Sequence, residues 1–272
     1  MSKNLTALTP NSEQKTVQVA GGKLAYEVAG SGPVVLCLPG IGDTRRVYER
    51  FAPALVAAGY RVISTDLRGN GGSVGHFASH HLTDLSNDIG AILDAEGIRR
   101  AYLAGGSLSG ASAGLFANRH PDRVAGLILF SPVFASPSRL LIALLIAVFR
   151  LPLLGAGLWV TYFKTLYPKQ PVEAAYVAEV GANIQQPGAL KSLTDMLWTR
   201  HLDSGTQAIK APTLIFYGTK DSDFKDARVE AAGVQKAIPQ AQIHILDGFG
   251  HYPQREAAEM VIPQTVEWLA AR

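Results

Sequence analysis

The run Ala101-Tyr102-Leu103-Ala104-Gly105-Gly106-Ser107-Leu108-Ser109-Gly110-Ala111 constrains this chain more than any other. An apolar segment of strand formers stops at two glycines, a serine follows, and an alanine-rich helical pattern begins at once. A strand that turns into a helix over one residue forces that residue into a strained conformation. Its neighbours must then be small, so that the two elements can close on each other. Such a turn holds the Ser107 hydroxyl clear of the backbone, beside a helix N-terminus. Ser109 stands where the pattern Gly-x-Ser-x-Gly has its last glycine, and its small size reads as a tolerated departure. A Gly/Ser-rich loop without chemistry is the competing reading of this stretch alone.

The rest of the chain supplies the surroundings such a turn needs. Thr16–Val19 and Lys23–Val28 alternate about Gly21-Gly22 as a β-hairpin, after a loose arm over residues 1–14. Pro33–Leu38 is a strand buried on both faces, Arg45–Ala58 a helix, and Arg61–Ser64 another strand. A helix over Thr83–Glu96 precedes the central strand, and a helix over 108–119 and the strand Val124–Phe130 follow it. After an interruption, the rhythm resumes with strand Pro212–Tyr217, a helix over Asp226–Ala237, strand Ala241–Leu246 and a last helix from Glu256 to Ala271. Alternating strands and helices imply an α/β fold, a parallel sheet with helices on both faces.

The interruption, Ser131 to about Leu202, is unlike its flanks. Leu140–Phe149 is wholly apolar, and Leu153–Val160 is apolar again, with Arg150 and Pro152 between them. The charge and the proline break what would otherwise be a membrane span, so a packed helical insertion is expected, with contact to a membrane surface the less favoured reading. Leu140, Leu141, Leu144, Leu145 and Phe149 fall along one helical side. They are expected to form the insertion's own core with a homodimer contact, or to line an apolar pocket above Ser107.

Serine needs a base within hydrogen-bond reach, and the base needs an orienting partner. Of the seven histidines, His251 in Gly248-Phe249-Gly250-His251-Tyr252-Pro253 has the best setting, a glycine-flanked loop after a strand. His80 and His81 read as surface residues, and His120 as a helix end. Asp221, after Gly218 at the end of a strand, is the favoured acid, with Asp223 the alternative two residues on. The lone cysteine, Cys37, lies in a strand and reads as a buried, inert thiol. A net charge of +3 without a dense basic run does not suggest nucleic acid. The polar first fifteen residues make the cytoplasm the expected compartment.

From about Thr16 to Ala271 the chain resembles α/β-hydrolase fold proteins of the serine-nucleophile, carboxylesterase-like branch. The order Ser107…Asp221…His251 is that superfamily's order. Asp66, Arg68, Gly69, Gly71 and Ser73 match its Asp-x-Arg-Gly-x-Gly-x-Ser pattern, and Glu256 stands where a glutamate is frequent. The resemblance implies a mostly parallel eight-stranded sheet with an antiparallel second strand. It also implies a core of residues 1–130 and 203–272, and a helical cap over 131–202. It implies an oxyanion hole built from the backbone N–H groups of Leu108 and Ile41, although Pro39 replaces the histidine that usually braces the second loop. Asp66, Arg68 and Asp88 read as structural.

No cofactor and no metal are expected. Serine at the turn argues against the epoxide-hydrolase and dehalogenase branches, which use aspartate. Gly106-Ser107 fits the proline iminopeptidase spelling, but that group's His-Gly-Gly-Pro-Gly loop is replaced by Pro39-Gly40-Ile41-Gly42-Asp43. The expected function is hydrolysis of small to medium apolar carboxylic esters through an acyl-enzyme on Ser107. Carbon–carbon bond hydrolysis, amide cleavage and ligand reception with little turnover are the alternatives.

Overall fold

A computed structural model describes residues 8, 9, 11–134, 138–151, 153–199 and 209–272. Gly21 takes a left-handed φ of 85°, and the turn it makes joins β1 (Glu13–Val19) to β2 (Gly22–Ala29) in an antiparallel hairpin. Glu13 and Gln14 therefore belong to a strand and not to a loose arm. Upstream of them, the Leu8 backbone N–H donates to the buried Glu27 carboxylate, 3.0 Å away.

The continuous apolar runs become the inner strands because only two-sided burial suits them. These are β3 (Val34–Leu38), β4 (Arg61–Thr65), β5 (Ala101–Gly106), β6 (Val124–Phe130) and β7 (Thr213–Gly218), with the partly exposed β8 (Gln242–Leu246) beyond them at the sheet edge. The order across the sheet is β1-β2-β4-β3-β5-β6-β7-β8. β2 alone runs opposite to the other seven strands, pairing antiparallel with β1 and β4. β5 and β3 lie at the centre, with Leu36 beside Leu103, both fully buried. This is the α/β-hydrolase fold.

Two helices differ from the reading of the sequence. Arg45–Ala58 divides into a 3-10 turn at Arg45–Tyr48 and α1 (Phe51–Ala57). Pro53 has no N–H to extend a ladder from the turn, so it is tolerated only in the first turn of a new helix. The last helix, expected from Glu256 to Ala271, is α10 (Ala258–Ala270), and a short helix the sequence reading does not include, α9 (Pro253–Glu256), precedes it. The other core helices, α2 (Leu82–Ala95), α3 (Leu108–Arg119) and α8 (Ala227–Ala237), fall where the periodicity puts them.

Between β6 and β7 lie α4 (Arg139–Phe149), α5 (Gly155–Thr165), α6 (Ala174–Ile184) and α7 (Ala189–Thr199). The far boundary expected at 202, and Pro152, lie outside the described residues. A Cβ on Gly155 would sit 1.8 Å from the Phe149 carbonyl oxygen, so glycine lets α5 start hard against the end of α4. The buried side of α4 carries Ile142 and Phe149. Leu140, Leu141, Leu144 and Leu145 face outward, 72, 50, 56 and 37% exposed, so they do not form the insertion's own core. No helix among the described residues is long and apolar enough to cross a membrane.

Candidate active site

Ser107 forms the single-residue link between β5 and α3, with φ 54° and ψ −126°. A side chain other than glycine is strained there, and the surroundings hold it in place. A Cβ on Gly105 would lie 2.8 Å from the Ser109 carbonyl oxygen, and one on Gly110 would lie 2.8 Å from Pro132 Cβ. The two glycines thus let strand, helix and the segment after β6 close around the serine. The Ser107 backbone N–H donates to the Phe130 carbonyl at 2.9 Å, anchoring the turn to β6.

His251 lies in the loop after β8, buried to 2% exposure. Its Nδ1 is 2.7 Å from Asp221 Oδ2. Asp221 follows β7 and also accepts the backbone N–H of Asp223 on Oδ1, at 2.9 Å. The two readings of the acid separate by geometry. Asp221 meets Nδ1, whereas Asp223 Oδ2 lies 3.7 Å from Nε2, on the opposite edge of the ring. Asp223 also accepts a hydrogen bond from the Tyr162 hydroxyl of α5. The histidine loop is braced by Glu256, which accepts the Gly250 N–H at 2.6 Å and the Lys169 N–H at 2.7 Å. The backbone N–H of His251 donates to the Leu166 carbonyl at 2.9 Å, which ties the loop to the insertion.

Ser107, His251 and Ile41 share a cavity of about 310 Å³. Its other walls come largely from the insertion: Leu141, Leu145, Phe149, Trp159, Tyr162, Leu166 and Leu197. No lysine or arginine among the described residues lines it, and Asp223 supplies a carboxylate. Leu144 does not line it, so that part of the expected apolar stripe is not pocket wall.

The two N–H groups expected to face the serine belong to residues next to it in the chain or in space. That of Leu108 is at the first position of α3, where no intrahelical acceptor exists. That of Ile41 follows Gly40, on which a Cβ would lie 3.4 Å from Ser107 Cβ and 2.9 Å from the Tyr252 hydroxyl. Glycine therefore lets this loop pack directly against the serine. Among the described residues, no hydrogen bond occupies the Ile41 N–H.

The loop's bracing is where the sequence reading falls short. Ser109, read as merely tolerated, donates its hydroxyl to the Pro39 carbonyl at 2.5 Å. The two departures from the superfamily pattern are thus bonded to each other. Three residues on one face of α6 hold the remainder of the loop. Tyr176 donates to both oxygens of Asp43, at 2.6 and 2.7 Å. Glu179 accepts from the Thr44 hydroxyl at 2.9 Å, and Asn183 Nδ2 donates to the Gly42 carbonyl at 3.3 Å. Burial pushes the Asp43 carboxyl up to about 7 against these hydrogen bonds. No motif marks Tyr176 or Asn183, and only the i, i+3, i+7 spacing of polar groups on an otherwise apolar helix could have pointed to them.

Among the other singled-out residues, Arg68 pairs with Asp88 at 2.6 Å, and Asp66 accepts the N–H groups of Arg45 and Gly72, at 2.8 and 2.9 Å. Cys37 is fully buried, and burial pushes its thiol far up. His80 is buried, not a surface residue as expected. Its Nδ1 lies 3.2 Å from Asp195, because α7 packs over the segment that the sequence shows as an exposed loop.

Fold and turn define an α/β hydrolase. A family model described as serine aminopeptidase, S33, matches residues 31–258, and the chain belongs to that family. It is 31% identical over 265 residues to a 2-hydroxy-6-oxononadienedioate/2-hydroxy-6-oxononatrienedioate hydrolase from Burkholderia vietnamiensis, covering 91% of each chain. An esterase from Thermogutta terrifontis superposes with a TM-score of 0.79 at 23% identity, over 95% of this chain and 98% of that one. An epoxide hydrolase from Vigna radiata gives 0.80 at 21% identity, over 96% and 98%. At such identities the two structures speak for the fold alone, and the chain is a hydrolase by family.

Proposed function

We propose that this hydrolase cleaves uncharged carboxylic esters of small to medium apolar groups through an acyl-enzyme on Ser107, with residues 131–202 as its cap. His251 accepts the Ser107 proton at Nε2 as Oγ attacks the ester carbonyl, forming the C–O bond of a tetrahedral intermediate. The oxyanion develops against the N–H groups of Leu108 and Ile41. Collapse expels the alcohol, which takes the proton from His251, and water then attacks the acyl carbon by the same route in reverse. Asp221, at Nδ1, fixes the tautomer in which Nε2 is the acceptor and stabilises the imidazolium.

The observation that carries the substrate class is the wall of the cavity beside Ser107. It is apolar, carries no lysine or arginine among the described residues, and has Asp223 as its own anion. An anionic substrate would meet repulsion there, and a neutral ester meets dispersion contacts. Carbon–carbon bond hydrolysis is the second reading, favoured by the full-length likeness to the Burkholderia relative. That relative's named substrate is a dioate, whose two carboxylates would find no cation among these wall residues.

Incubation with p-nitrophenyl butyrate, beside a fluorophosphonate label and peptide mapping, tests the reading. Turnover that disappears as Ser107 becomes labelled is expected. Ester turnover absent from a folded protein whose Ser107 labels readily would sink the ester assignment and leave the carbon–carbon reading.

A further inference from the structure

The insertion leaves more apolar surface in water than its cavity accounts for. On α4 and the turn into α5, Leu140, Leu144, Leu151, Leu153, Leu154 and Leu158 are all exposed, Leu153 completely. None of these six lines the cavity that holds Ser107. All six fall within residues 140–158, on α4, α5 and the turn that joins these two packed helices, so the exposed apolar surface is concentrated in one short stretch and not scattered over the chain.

Charge says what covers that face. Between Asp122 and Glu173 the sequence contains no acidic residue, while Arg139, Arg150, Lys164 and Lys169 are spread along the same segment. Arg139 opens α4, Arg150 closes it, and Lys164 lies in the last turn of α5, each solvent-exposed. Arg150 is paired with Asp195 of α7 at 2.8 Å, so the remaining basic charge of α4 and α5 rests on Arg139 and Lys164, which form no ion pair among the described residues. An apolar stretch with basic and no acidic residues of its own is the composition that settles on an anionic bilayer surface. A second copy of this chain fits it less well, because a two-fold contact would bring these cations together with no acid from the segment to pair them. Leu141 and Leu145 are both part of this outward side and part of the wall of the Ser107 cavity, so the face is continuous with the site's entrance.

We propose that the face formed by α4 and the start of α5 docks on anionic lipid bilayers, with the leucines in the acyl boundary and the basic residues among the headgroups. The protein lies on the surface and does not span it. This binding is independent of which bond the enzyme cleaves.

Flotation through a density gradient reads it directly. The probes are vesicles of phosphatidylcholine with phosphatidylglycerol, and vesicles of phosphatidylcholine alone, with sedimentation velocity of the lipid-free protein alongside. The wild type should rise with the anionic vesicles, less with the neutral ones, and less in high salt. Leu144→Asp combined with Leu153→Asp, both at exposed positions, should lower the bound fraction at least about tenfold while leaving the melting temperature unchanged. Wild-type protein that stays behind with both vesicle types overturns the proposal. So does a lipid-free dimer that the same pair of substitutions splits without any change in flotation, since the face is then a subunit contact.

Discussion

Tyr176 of α6 donates its hydroxyl to both carboxylate oxygens of Asp43, at 2.6 and 2.7 Å, and so joins the insertion to the loop that carries Ile41. Arg255 stacks on the Tyr176 ring at 3.8 Å and pairs with Glu49 and Glu173, both at 2.6 Å, which fixes the tyrosine from its other side. The loop lacks the histidine brace of the superfamily, and this hydroxyl, with Asn183 and Ser109, takes its place. The insertion and the loop that carries Ile41 therefore form one mechanical unit.

Removing that hydroxyl tests the unit. In Tyr176→Phe the ring and its stacking remain, but Asp43 loses its donor and the Ile41 N–H loses its fixed aim. We expect kcat for a p-nitrophenyl ester to fall about tenfold with KM changed little, since an oxyanion donor acts in the transition state. A parallel rise in KM with kcat intact would mean that Tyr176 shapes the pocket and does not position the loop.

Asp43 also gives stability a pH dependence of known sign. Burial raises its carboxyl from 3.8 to about 7, so between those values the folded protein binds more protons than the unfolded chain. Its contribution to stability is therefore greatest at low pH and declines as pH rises through that window. Asp43→Asn cannot titrate. Between pH ~5 and ~8 the wild-type urea midpoint should fall more than that of Asp43→Asn. Identical changes in the two proteins would remove Asp43 as the cause.

The acyl-enzyme chemistry has its own test in Ser107→Ala. The substitution deletes one hydroxyl and keeps a Cβ at a φ of 54°, so the turn's strain is unchanged. Turnover should fall by on the order of 10⁴ or more while the melting temperature holds. Appreciable turnover in clean variant protein would place the nucleophile elsewhere.

How much of this was readable beforehand depends on distance along the chain. The positions of most strands along the chain, the serine turn and the His251 loop follow from local patterns: apolar runs, glycine spacing and positions that admit only small residues. Asp221 and Asp223 were distinguishable only by spacing after Gly218, because which edge of His251 each one meets is set by a loop from another strand. The Tyr176–Asp43 pair spans 133 positions, and nothing local distinguishes Tyr176 from any aromatic of an apolar helix. The outward turn of Leu140 and Leu144 was also hidden, since an apolar face looks the same in sequence whether it meets protein, lipid or water. Pro53 is a local signal, and it alone marks in the sequence where Arg45–Ala58 divides.

The last prediction separates the two carboxylates beside His251 by what each does. Asp221 sits 2.7 Å from Nδ1 and orients the ring, so Asp221→Asn should slow every substrate by about 10³ or more. Asp223 lies 3.7 Å from Nε2, on the cavity wall, where it accepts the Tyr162 hydroxyl. Asp223→Asn should cost less than about tenfold on p-nitrophenyl butyrate. Its larger effect should fall on charge selectivity. The wild type should prefer a neutral ester over the half-ester of a dicarboxylic acid of equal length, because the second carboxylate enters an apolar cavity beside a fixed anion. Neutralising Asp223 removes the repulsion and leaves the desolvation, so the preference should shrink several-fold without reversing. Measuring kcat/KM for the two esters on wild type and both variants settles it. If Asp221→Asn narrows the preference and Asp223→Asn abolishes turnover of both esters, the roles are exchanged and Asp223 is the orienting acid.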